Sequence, residues 1–177
     1  LALEGHDELD EPALVNGEHP SHPLDASAVG VAIGSIVSEQ LGAVVGVRVP
    51  GRADIATLLD SGIGLLGIPV GVGVGAAMAA MAEFVTAGGV IAWGAVPVNE
   101  PIGDASHRLW RRLASAWAEL VAGGADPVRL RDQALITAAG SLDRFTTGQA
   151  RQILGLADDL AQRARTQVMG ARMGIGA

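Results

Sequence analysis

Apolar residues in this chain come in short unbroken runs, each followed by a longer stretch where they recur at helical spacing. AVVGVRV (43–49) is a β-branched run between Gly42 and Pro50, and ADIATLLDSG follows it with a helical pattern and a stop at Gly62. GLLGIPV (64–70) is a second run, then GVGVG leads into the helical AAMAAMAEFVTAGG, which ends at Gly88 and Gly89. VIAWGAVP (90–97) and ALITAAG (134–140) are two more runs. Between them, SHRLWRRLASAWAELVAGG places Leu109, Leu113, Trp117 and Leu120 on one stripe, with Arg111, Arg112 and Glu119 away from it. TTGQARQILGLADDLAQRARTQVMG predicts a closing helix with Ile153, Ala157, Leu160 and Ala164 inward. Residues 35–41 read as the end of another helix before the first of these strands.

Apolar runs without polar alternation belong to strands buried on both faces, and so to a parallel sheet covered by helices. The repeat fits either an open doubly wound sheet or part of a (β/α)8 barrel. Four or five such units make about half of a barrel at the usual ~250 residues. In both architectures chemistry sits at the carboxyl ends of the strands. The segments to inspect are therefore 10–12, 48–52, 69–75, 98–100 and 138–143.

Composition narrows the chemistry. The 177 residues carry a net charge of −7, with 49% hydrophobic and only 3% aromatic residues. A sizeable core is therefore built from Ala, Val, Leu and Ile, and one domain is expected over 1–177, with 166–177 as a flexible tail. The acidic balance argues against a nucleic-acid partner, which needs clustered cations. Every basic residue is Arg. Without Lys there is no Walker-type phosphate loop, Schiff-base lysine or lysine general base. Without Cys there is no thiolate ligand, cysteine nucleophile or disulfide, which fits a cytoplasmic protein. The start LALEGHDELDEP is acidic, without Met or leader, so a truncated or split chain is expected. Residues 61–82 carry no charge and are long enough to span a bilayer. Pro69 and six glycines in that stretch read instead as strand, loop and buried helix, so no membrane partner is expected.

The individual motifs are modest. GVGVGA (71–76) matches a loose dinucleotide fingerprint, but the next strand ends in no acid for a ribose hydroxyl. A close-packed turn is the better reading. His19 and His22 in EHPSHPLD lie on a proline-rich loop that does not preset metal ligands. Arg48 ends a buried strand, where its planar fork serves equally as an anion clamp or as a bridge to Asp10 or Glu11. Ser35, Thr137, Ser141 and His107 assemble into no triad.

The ordered blocks carry more than any single motif. An LDEPAL segment comes first, then V-x-V-x-x-G-x-x-D-I-x-x-L-x-x-x-G, then AEFVTAGGVIAWGAVPVNEP and DPVRLRDQALITAAGSL. Together they resemble the C-terminal barrel of cobalamin-independent methionine synthases, within the uroporphyrinogen-decarboxylase-like barrels, over about residues 9–164. The resemblance implies a (β/α)8 TIM-barrel type fold of which this chain covers the C-terminal half to two-thirds. It also implies a zinc held by one His, one Glu and two Cys, which activates a homocysteine thiolate toward a folate methyl group. Those four ligand positions fall at Gly46, Arg48, Pro69 and Gly140, and none carries a ligand. A functional His of the family corresponds to Asn99, and its ammonium-binding Asp carries over to Asp10, with Glu11 beside it. The Asp-x-Pro turn also closes a strand well on its own.

The expectation is a methionine-synthase-like barrel without zinc, cofactor or methyl transfer, with a small amino-acid or folate-like ligand at Asp10, Glu11, Arg48 and Asn99. Alternatives are a metal-free decarboxylase-like or methyltransferase enzyme, and a half-barrel subunit completed by an N-terminal half or by a second copy.

Overall fold

A computed structural model describes residues 8–10, 26–40, 42–51, 53–73, 75–99 and 106–172. Five strands alternate with helices: β1 (Glu8–Asp10), α1 (Ala26–Glu39), β2 (Gly46–Arg48), α2 (Ile55–Asp60), β3 (Leu65–Pro69), α3 (Met78–Thr86), β4 (Val90–Val96), α4 (Ser106–Ala122), α5 (Pro127–Asp132), β5 (Ala134–Ala138) and α6 (Thr147–Arg172). Every strand run read from the pattern becomes a strand. The uncharged stretch 61–82 divides into β3, a loop and the start of α3. Among the described residues no helix is long and apolar enough to cross a membrane.

The strands form one parallel sheet in chain order, β1-β2-β3-β4-β5. A doubly wound sheet reverses its strand order at a switch point, and this order has no reversal. Register places Val47, Leu66, Ile91 and Ala134 in one row, and Ile68, Trp93 and Ile136 in the next row on the same face. Val47, Val49, Leu66, Ile68, Ile91 and Trp93 all belong to a single core. Helix residues Ile33, Leu58, Met81, Leu113, Leu130 and Leu160, one from each of α1 to α6, join that core. The helices thus bury their apolar stripes against the same face of the sheet. Each fully buried Val, Leu or Ile there is worth about 1.5–3 kcal/mol.

The other face carries Gly46 and Arg48 of β2, Leu65 and Gly67 of β3, Ala92 and Gly94 of β4, and Leu135 and Thr137 of β5. Leu65 and Ala92 are buried yet stand outside the helix-side core.

Local signals explain the helix boundaries. The Asp54 carboxylate caps α2 by accepting from the Thr57 backbone N–H. Gly62 and Gly88, both at positive φ, follow the ends of α2 and α3. The stripes of α4 and α6 are buried as their spacing predicts, and Trp110 is buried with them. Trp110 meets Trp117 edge to face and lies under the Arg163 guanidinium, 5.0 Å from its carbon. The short helix α5 has no counterpart in the sequence reading. Its six residues are too few for a periodic pattern, but Asp126-Pro127 is a legible start, an acid cap followed by Pro at the first helical position.

One sequence expectation is corrected. The glycines of GVGVGA are not there for close packing. Among the described residues an added Cβ at Gly71, Gly73 or Gly75 would meet nothing within 4 Å, and of the three only Gly71 takes a positive φ, 97°.

Candidate functional site

The carboxyl ends of β2 to β5 surround a hollow of about 170 Å³ on the face away from the helix-side core. Arg48 ends β2 and Pro69 ends β3, and both line it. Gly94 of β4 and Thr137 of β5 line it from neighbouring strands, with Gly140 and Leu142 on the loop after β5.

Small residues keep this hollow open. Gly67 and Ala92 pair in register beside Arg48 and bring almost no side chain to the middle of its row. Gly94 is sterically required. A Cβ there would lie 2.8 Å from the Ala139 Cα and 3.1 Å from the Pro69 Cα, both backbone atoms. The Val70 amide donates to the Gly94 carbonyl, and the Ala139 amide donates to the Val96 carbonyl. These bonds hold the strand ends together past the shift in β4–β5 register at Gly94 and Val96.

Two side chains supply polarity. Arg48 is half-buried, and its Nη2 lies 4.0 Å from the place a Cβ on Gly140 would take. β2 and β5 are three strand spacings apart, about 14 Å across a flat sheet. The Arg48 side chain therefore reaches over the strand ends toward the β5 loop. Thr137 Oγ1 donates to the Trp93 carbonyl oxygen at 3.2 Å. With its proton committed there, that oxygen can only accept a further hydrogen bond.

The positions picked from sequence separate clearly. Arg48, Pro69 and Gly140 line the same hollow. Gly46 stands one pleat further back on the same face of β2, where an added Cβ would press on Leu65. Asp10 is the register partner of Arg48. Asn99 is exposed on the loop after β4 and is not among the lining residues. Glu11, His19 and His22 lie outside the described residues. The sequence reading weighed Thr137 only as a triad member and set it aside, and it did not pick out Gly94. The strand-end rule finds Thr137 if it starts one residue earlier, but nothing in the sequence marks Gly94.

The lining does not suit zinc. Glycine and proline side chains offer no donor atom, and a guanidinium repels a cation. Among the described residues no group of three or more His, Cys, Asp or Glu is placed to hold a metal. Comparison with protein-family models and with curated proteins found no match for this chain.

Proposed function

We propose that this chain is the C-terminal run of a methionine-synthase-like (β/α)8 barrel that lacks zinc and methyl transfer and binds a small ligand at its strand ends. One observation carries the reading. Three of the four positions that the resemblance assigns to metal ligands, Arg48, Pro69 and Gly140, are far apart in sequence and line one hollow. The strand order supports it too. Five parallel strands in sequence, with their helices on one face, are the arrangement of consecutive units of a barrel. On this reading the protein is cytoplasmic, takes a small molecule rather than a nucleic acid or a membrane, and needs no cofactor.

Metal analysis of the purified chain tests the loss of zinc, and substoichiometric metal is expected. Tightly bound zinc at one per chain overturns it. A thermal-shift screen with homocysteine, methionine and folates tests binding, because a ligand of the native state raises the midpoint.

A second reading, a half-barrel completed by another chain, is favoured by the sheet edges. Among the described residues β1 and β5 each have a single strand neighbour, and the β5 run ALITA carries no charge to guard its edge. Sedimentation decides between the two, since a stable monomer without added partner excludes completion by a second chain.

A further inference from the structure

The loop that follows β3 carries a glycine that its present conformation does not need. We propose that Gly71, Val72 and Gly73 form a glycine-hinged flap, which carries Val72 from its half-buried position over the strand-end hollow; this rests on the small-ligand reading above, because a flap needs a ligand to enclose.

Position comes first. The loop leaves β3 at Pro69, which lines the hollow. The Val72 amide donates to the Pro69 carbonyl, so the turn keeps Val72 beside that wall. At 3.4 Å the bond is long for an amide and easily released. Val72 is half-buried, and Gly71 and Gly73 on either side of it are exposed. Both flanks are anchored. The Val70 amide donates to the Gly94 carbonyl at 3.0 Å, and Ala77 is buried in the core. Movement is therefore confined to the stretch between them.

The glycines supply the second argument. Gly71 takes a φ of 97°, which favours glycine as the loop stands. Gly73 has no positive φ, and among the described residues an added Cβ there would meet nothing within 4 Å. Alanine fits that position and would stabilise the fold by narrowing the unfolded ensemble. The present conformation thus has no use for Gly73. A second conformation with left-handed backbone at residue 73 does, because a Cβ is penalised there.

Apolar contact gives the direction of the swing. Leu142 lines the hollow from the loop after β5. β3 and β5 are two strand spacings apart, about 10 Å across a flat sheet. The Gly-Val-Gly stretch carries no charge into the site. Val72 moving toward Leu142 buries apolar surface that now meets water, and shuts the hollow from solvent.

Disulfide trapping in the ligand-free chain tests the flap, and a sequence without Cys leaves no competing thiol. Val72→Cys combined with Leu142→Cys closes into an intrachain disulfide under mild oxidation, while circular dichroism stays native. Adding Gly73→Ala slows that closure about five- to thirty-fold, the range expected for an alanine forced into a left-handed backbone, and raises the thermal midpoint of the reduced chain. Adding Gly155→Ala, at an exposed helix glycine elsewhere, leaves the closure rate unchanged. No disulfide, a rate indifferent to Gly73→Ala, or equal slowing by Gly155→Ala overturns the flap. Each of these results leaves the small-ligand reading standing, since no ligand is present. If methionine, homocysteine and folates all leave the parent's midpoint unmoved, that reading falls, and the flap falls with it for want of anything to enclose.

Discussion

The two faces of the sheet are made from alternate residues of the same strands, and their contents are opposite. Toward the helices stand Val47, Leu66, Ile68, Ile91 and Trp93, each at most 2% exposed. On the other face at the same strand level stand Arg48, Gly67, Ala92, Gly94 and Thr137. Large branched side chains fill the space under the helices to interior density, so that face carries the stability. Small residues on the other face leave a volume that the protein does not fill from its own side chains. A hollow lined largely by glycine, alanine and backbone contributes little to folding energy, and Gly67, Ala92 and Gly94 leave room for it. The comparison separates positions that hold the fold from positions that shape the site, although the two are adjacent in sequence.

The largest expected effect breaks the helix-covered face. Leu66→Ala removes a side chain with no exposure and should cost about 2–5 kcal/mol in urea unfolding, with the hollow's ligand still bound by whatever fraction stays folded. A cost under 1 kcal/mol, at the surface level, would sink the assignment of that face to the core. Gly94→Val comes next. Its Cβ meets backbone at 2.8 Å, so overpacking should cost about 1–3 kcal/mol and close the hollow as well. Loss of stability with intact ligand binding would show that Gly94 does not shape the site. Arg48→Met should separate the two properties most cleanly. It should leave the chain folded and lower binding of a small ligand at the strand ends. A collapse of the fold would move Arg48 to the structural side of the comparison.

The smallest effect at neutral pH lies outside both faces. The Asp126 carboxylate accepts from the backbone N–H groups of Arg129 and Val128 at 2.8 Å each. The Arg129 amide bond, then that of Val128 and the nearby Arg129 and Arg131 charges, hold its pKa below the usual aspartate value. A carboxyl whose pKa is lowered by folding adds stability above its unfolded pKa and loses it as pH falls through the folded value. Asp126→Asn keeps an oxygen to cap α5 but carries no charge, so its urea midpoint should lie slightly below the parent's at pH 7 and meet it below about pH 4, where the parent's own advantage fades. Identical midpoints across the whole range would remove Asp126 from the acid response.

Much of the fold was legible because the signals are local. Uninterrupted apolar runs such as VIAWGAV identify strands buried on both sides, and the spacing of Leu109, Leu113, Trp117 and Leu120 identifies α4 and its inward face. The strand-end rule also led to Arg48, Pro69 and Gly140. It did not single out Thr137, whose value depends on a hydrogen bond to Trp93, 44 residues away in sequence. Gly94 looked like any other small residue in a strand, because the atoms that forbid a side chain there belong to Pro69 and Ala139 on neighbouring segments. The glycines of GVGVGA drew notice by their regularity, yet among the described residues nothing stands close to them. A pattern in one dimension does not report what stands opposite.

The sequence by itself determined the strands and the long helices, the inward stripes of those helices, the poverty of cations and the absence of thiol chemistry. These follow from backbone preference, periodicity and composition, which each segment carries with it. Only the tertiary structure decided that the strands pair in chain order without reversal, that the helices gather on one face, and that Arg48 crosses the strand ends toward Gly140. Those facts depend on which segments become neighbours. That choice is made when the apolar faces of all the elements are buried together, and no single stretch of the chain contains it.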